Sequence, residues 1–310
     1  FNLPKVVFRI VEIIRINKPI YVGSFLYISD LIASFANFII PKYPLIWFVR
    51  HGIDASDELK VHILVRFLSF LSYIAPSLIV FNSHSVRKKH LDLYYRRKGT
   101  FVLPNTLDLD IFCPSYKNNK ELLSNELVIK EEKIFLGCVS RYHPNKGILN
   151  LLKGFDALLK KNNKFHLILV GENLKYSNKE LTEKINDFRL ENNITLMGAS
   201  TNVASFLNSI DIFISPSRTE SFPNALLEAV ATGTYCIATD TGDSSYILSS
   251  FGILISPDFN PEEFVNAISI AIKKIPLRQT VRDKMHKHIK KHFSNDNFKS
   301  NYRSIEDLIL

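Results

Sequence analysis

The sequence has 310 residues, 46% of them hydrophobic and 22% charged, which is enough apolar material for two buried cores and excludes a globally disordered chain. Its net charge of +9 is uneven: residues 1–115 carry 14 Lys/Arg against 8 Asp/Glu, and residues 116–310 carry 25 against 22. The N-terminal part is therefore the one suited to phosphate-bearing partners or an anionic membrane surface. Cys113, Cys138 and Cys236 are widely spaced and form no zinc or disulfide pattern, which points to a reducing, cytoplasmic setting.

The chain opens on a helix-like stretch, VVFRIVEIIRI (6–16). Strands are expected at 20–24, 45–49, 78–82 and 100–103, with helices over 57–74 and 84–96. The mainly apolar run Phe67–Phe81 is 15 residues long. That is shorter than the ~20 needed to span a bilayer. It divides into a helix end (Phe67–Ile74), a break at Pro76 and a strand (Leu78–Asn82). A polar segment from Pro114 to about Lys130 follows and marks a domain boundary. Beyond it, strands are expected at 134–139, 166–171, 194–198, 211–215, 235–239 and 252–256. The helices between and after them span 146–162, 177–191, 223–232, 261–274 and 278–293.

Continuous apolar strands alternating with helices predict an α/β chain with parallel sheets covered on both faces. The expected domains are 1–120 and 121–290, with a C-terminal helix in 291–310. In such sheets ligands sit beyond the carboxyl ends of the strands.

The densest chemistry at a strand end is SPSRTESFPNALLEAVATG (215–233). Pro223 suits the first turn of a helix, which Gly233 ends. Glu220 then lies in the preceding loop, and Glu228 about one and a half turns inside. Helical side chains lean toward the N-terminus, so both carboxylates can face one cleft and accept hydrogen bonds from vicinal hydroxyls. Free N–H groups near Asn224 and Ala225 suit an anionic diphosphate. A second stretch, GCVSRYHPNKGILNLLKGF (137–155), puts Arg141 and Lys146 at a strand–helix junction. Two cations there suit a diphosphate, each contact at about 4 Å being worth roughly 4 kcal/mol of Coulomb energy at an effective dielectric near 20.

These stretches, with LVGEN (169–173), ITLMGAS (194–200) and TDTGDS (239–244), resemble the donor half of glycosyltransferase family 4. The N-terminal WFVRHG (47–52), FNSHSVRKKH (81–90), VLPNTLDLDIFCP (102–114) and SFLYISDLIASF (24–35) are similar to the acceptor half of bacterial enzymes that build surface polysaccharide. The resemblance implies two Rossmann-like domains facing a cleft (the GT-B fold), with the C-terminal helix returning to the first. It implies retaining transfer from a nucleoside-diphosphate sugar, with UDP-sugar the expected donor. It implies a saccharide or lipid-linked saccharide acceptor, no metal cofactor, and a peripheral place at the inner face of the cell membrane.

By the same resemblance, Arg141 and Lys146 hold the diphosphate, Glu228 the ribose and Glu220 the transferred sugar. Met197 and Gly198 flank the base, and Ser221, Phe222, Pro223, Asn224 and Ala225 complete the donor site. His51 either positions the sugar or is structural. Arg50 binds acceptor phosphate or a local carboxylate, with Asn105 beside it on the acceptor side.

Three positions depart from the pattern: Thr106 and Ser221 stand where Gly is usual, and Ile28 replaces a His. A first strand and Gly-rich turn are also missing from the start, so the first domain is expected to be incomplete. The basic run 87–99 reads as a solvated helix face near an anionic membrane rather than a nucleic-acid site. Asp108 and Asp110 could form a metal pair, but they fall in a stretch where the resemblance calls for no metal. Two rival readings remain: a sugar-nucleotide epimerase of similar fold, and a non-catalytic nucleotide-sugar-binding fragment. The sequence has neither a Gly-x-Gly-x-x-Gly after a strand nor a Gly-x4-Gly-Lys-Ser/Thr, which argues against a dinucleotide oxidoreductase and a P-loop NTPase.

Overall fold

The computed structural model describes residues 2–53, 58–115, 119–129 and 132–309, with the side chains of 277–279 left aside. The start of the expected helix at Asp57 and parts of the polar segment 114–130 lie outside the described residues. The chain divides into two compact units, Phe1–Asn105 with Asn295–Leu310, and Thr106–Ser294.

The first unit runs α1 (Leu3–Asn17), β1 (Val22–Phe25), α2 (Tyr27–Ile39), β2 (Leu45–Val49), α3 (Leu59–Leu71), β3 (Leu78–Phe81), α4 (His84–Asp92) and β4 (Thr100–Val102). Its parallel sheet has the order β1-β2-β3-β4. Successive residues of a strand point to opposite faces. Leu45, Trp47 and Val49 therefore join Val65, Leu68 and Leu71 of α3 in one core. Ile46, Leu78, Val80 and Leu103 face the other way and join residues from the end of the chain.

The second unit runs α5 (Asn119–Glu126), β5 (Ile134–Val139), α6 (Ile148–Lys161), β6 (Phe165–Val170), α7 (Lys179–Asp187), β7 (Ile194–Gly198), α8 (Val203–Ser209), β8 (Ile212–Ser215), α9 (Asn224–Ala231), β9 (Tyr235–Thr239), α10 (Ser244–Leu248), β10 (Gly252–Ile255), α11 (Pro261–Ile272) and α12 (Arg278–Phe293). Its parallel sheet has the order β10-β9-β8-β5-β6-β7. One face carries Leu136, Leu167, Leu169, Ile214 and Ile237 against α6, α7 and α11. The other carries Phe135, Ile168, Val170, Phe213 and Ala238 against α8, α9 and α12. The last helix, α13 (Asn295–Glu306), belongs to the first unit and buries Ile305, with Phe298 and Tyr302, on its sheet.

The boundaries differ from the expected 120/121 and 290/291, because packing and not polarity sets them. Leu107, Leu109 and Phe112 lie in the core of the second unit. Arg282 Nη1 donates to the Ser115 carbonyl (2.7 Å), and Leu107 forms a β-bridge with Ser294. Met285, Ile289 and Phe293 of α12, spaced four apart, sit in that same core and hold the helix in the second unit to its end.

Candidate functional site

The second sheet reverses strand order between β5 and β8. At such a reversal the loops leaving the carboxyl ends splay apart, and the crevice between them is where ligands bind in doubly wound sheets. The two loops here are knit together. The Arg218 N–H donates to the Asn145 carbonyl (2.8 Å). Gly147 adopts φ +66°, and a Cβ on it would stand 1.9 Å from the Pro216 carbonyl oxygen, so only glycine permits this approach. A single 3-10 turn, Pro144–Lys146, delivers Lys146 to the crevice. Lys146 Nζ donates to Glu220 Oε1 (2.5 Å), and this ion pair bridges the two loops.

Ser217, buried at the end of β8, donates its hydroxyl to the same Glu220 oxygen (2.9 Å). Thr239 at the end of β9 donates to the Ser217 carbonyl (2.5 Å). Gly242 (φ +56°) packs its Cα against the carbonyls of Glu220 and Ser221. Both side-chain contacts to Glu220 fall on Oε1; among the described residues Oε2 has no partner and remains able to accept a ligand hydroxyl.

Glu228 lies on the second turn of α9. Among the described residues its carboxyl group has no hydrogen-bond or ion-pair partner, and burial raises its pKa to about 7. Pro223 is the residue before α9 rather than part of its first turn, as expected from sequence. Gly233 (φ +72°) does end the helix, its N–H donating to the Val230 carbonyl. Asn224 is exposed at the helix start and Ala225 is half-buried behind it. The Phe222 side chain is buried in the core, edge-on to the Phe293 ring at 5.8 Å, and anchors the loop to the unit. Ser221 replaces the usual Gly without adopting a positive φ.

The Arg141 side chain is exposed after β5, and among the described residues nothing pairs with its guanidinium. Gly198 ends β7 with φ +71°, its N–H donating to the Leu174 carbonyl (2.8 Å), and half-buried Met197 packs on the core beside it. The structure thus puts Lys146 and Glu220 in direct contact. It places Arg141 and Ser221 on loops, Asn224, Ala225 and Glu228 on α9, and Met197 and Gly198 at the end of β7, all in the same unit. Ser217 has no role assigned from the sequence; its one signal is its position at a strand end, three residues before Glu220.

In the first unit, Arg50 Nη2 donates to Asn105 Oδ1 (2.7 Å), so its partner is an amide oxygen and not a carboxylate. His51 has an exposed ring, while its carbonyl accepts from the Tyr27 hydroxyl (2.7 Å). Tyr27 also meets His90 Nε2 (3.0 Å), and burial lowers the His90 pKa to about 4. Thr106, where Gly is usual, avoids positive φ and donates to the Phe293 carbonyl (3.0 Å). Asp108 Oδ1 accepts from the Asp110 N–H (3.0 Å), a local turn that occupies one oxygen of that pair.

The chain is 28% identical over 148 residues to the putative glycosyltransferase EpsF of Bacillus subtilis. It is 25% identical over 237 residues to an Escherichia coli UDP-Gal:alpha-D-GlcNAc-diphosphoundecaprenol alpha-1,3-galactosyltransferase. The matches cover 47% and 73% of this chain but only 37% and 59% of those relatives, so the chain spans roughly half the length of the curated proteins it resembles. In fold it is similar to Anabaena HepE, solved in complex with UDP: TM-score 0.83, 20% identity, covering 96% of this chain and 80% of that one. The two parallel sheets described above are thus those of GT-B glycosyltransferases. The family model described as glycosyl transferases group 1 matches residues 119–291, more than half of the sequence and nearly all of the unit that carries Lys146, Glu220 and Glu228, and the chain belongs to that family.

Proposed function

We propose that this protein is a retaining glycosyltransferase. In this reading it moves a sugar from a nucleoside-diphosphate sugar, a UDP-sugar, to a saccharide or lipid-linked saccharide in surface-polysaccharide synthesis, working in the cytoplasm against the membrane. The observation that carries the reading is the Lys146–Glu220 ion pair across the strand reversal, with Glu220 Oε2 open. The donor's diphosphate lies against Lys146 and Arg141, its ribose hydroxyls donate to Glu228, and the transferred sugar donates a hydroxyl to Glu220 Oε2. The bond from the anomeric carbon to the phosphate oxygen breaks, and the electron pair leaves with the diphosphate. The acceptor hydroxyl attacks the same face, and its proton passes to the departing phosphate oxygen. The protein contributes positioning and electrostatic stabilisation of the leaving group. Lys146 and Arg141 supply the countercharge, so the reading calls for no metal.

Lys146→Ala is expected to lower turnover on the order of a hundredfold while the bare nucleoside binds as before. Steady-state kinetics and nucleoside titration check this, and unchanged turnover rejects the diphosphate role.

A further inference from the structure

The helix α3 has two apolar faces. The inner one, Val65, Leu68 and Leu71, is buried against the first sheet. The outer one is exposed: Leu59 is 74% exposed, Ile63 61%, Phe67 46% and Phe70 65%, and Ile74 in the following turn 58%. At 100° per residue these five positions fall within a stripe about 80° wide. A stripe of large apolar side chains left in water on one helix is costly, at about 25 cal/mol per Å² of apolar surface, and marks an interaction site.

The rim of the stripe is cationic. Lys60 and Arg66 are exposed on either side of it, and α3 contains no Asp or Glu; Glu58 precedes it. The Arg66 guanidinium lies over the Tyr94 ring at 5.8 Å, and Tyr94 is itself 69% exposed. The segment after Tyr94 is pinned to the end of α3, where the Arg96 N–H donates to Ser72 Oγ (3.0 Å) and Arg96 Nη2 to the Ser77 carbonyl. Exposed Arg97 and Lys98 follow directly on that pinned residue. Apolar side chains on the crest with Lys and Arg around them match a bilayer interface, where the crest enters the acyl boundary and the cations meet lipid phosphates. No helix among the described residues is long and apolar enough to cross a membrane.

We propose that the outer face of α3, with Tyr94, Arg97 and Lys98, docks on an anionic lipid bilayer, the helix lying in the plane of the interface. This names the surface for the membrane association proposed above, yet it stands apart from the transfer chemistry. A membrane-bound acceptor gives it a use.

The test is co-sedimentation of the whole protein with vesicles of phosphatidylcholine alone and of phosphatidylcholine with 30% phosphatidylglycerol, a share in the range of about a third chosen to give a strong surface potential. The anionic vesicles are expected to bind the protein at least about tenfold more tightly, with the preference falling as salt rises. Ile63→Gln with Phe70→Gln is expected to lose about tenfold or more of that binding. Arg97→Gln with Lys98→Gln is expected to lose about thirtyfold, on the order of fivefold per cation. All four positions are on the surface, so unchanged Tm shows the fold intact.

Equal binding to both vesicles, no binding, or full binding by both variants overturns the proposal. So does a concentration-dependent dimer that disappears in the Ile63/Phe70 variant while vesicles are ignored, since the face would then belong to a second copy. Titration of UDP-glucose in the absence of vesicles reports separately on the donor site, so failure of that reading is distinguishable from failure of this one.

Discussion

Glu228 has a carboxyl group that burial alone holds at a pKa of about 7, against 4.5 in the unfolded chain. Between those values the folded protein keeps a proton that the unfolded chain has released, so stability is full below about pH 4.5, declines toward pH 7 and is level above it. The shift corresponds to about 3 kcal/mol, an upper figure for a group that solvent still reaches. Asp30 is raised to about 7 by the same cause, so the wild-type pH profile contains both groups. Glu228→Gln isolates one of them. The variant is expected to match wild type at pH 4 and to unfold at a higher temperature at pH 8; equal Tm at pH 8 rejects the account. Donor binding should move the opposite way. Ribose hydroxyls donate to the ionised form, so nucleotide-sugar affinity rises with pH up to about 7 in wild type and is weaker and flat in the variant, as calorimetric titration reads. Such a carboxyl spends stability when empty and recovers it when a ligand supplies hydroxyl donors.

At the scale of elements, the crevice depends on how closely the loops after β5 and β8 approach. Gly147→Ala puts a methyl group 1.9 Å from the Pro216 oxygen, at a φ of +66°. The loops must part, at a cost of about 1–3 kcal/mol. Lys146 then leaves Glu220, and Tm and donor affinity should fall together although no charged group has been touched. A drop in neither measurement would show that the loops are independent.

This approach was not legible in the sequence. The strands were, since the interior ones (β2, β3, β5, β6, β8 and β9) are mainly apolar runs, and all ten lie within two residues of their expected positions. Lys146 and Glu220 were legible for the same reason, as polar residues just beyond such runs. Their contact, made across 74 positions of sequence, follows from β5 lying beside β8, which no local pattern encodes. Of the helices not expected from sequence, α5, α8 and α10 have only one or two turns, which carry too little periodicity, while α2 has about three and a half. Polarity places the domain boundary in the segment 114–130, whereas Leu107, Leu109 and Phe112 before it pack into the second core.

For the whole molecule, the chain passes between units twice, at Asn105/Thr106 and Ser294/Asn295. The second unit has both its ends pinned to each other, with Leu107 N–H and Thr106 Oγ1 donating to the Phe293 carbonyl. A polypeptide of residues 106–294 is therefore expected to fold by itself, with a cooperative thermal transition and nucleotide affinity close to that of the whole chain. A fragment lacking a cooperative transition would show that the second core needs the first. The first unit has no such independence, since Phe298, Tyr302 and Ile305 complete its sheet from the far end of the sequence. On a ribosome this sets an order of events. The second unit can close before α13 is made, while the first must wait, with Ile46, Val80 and Leu103 uncovered, until α13 emerges.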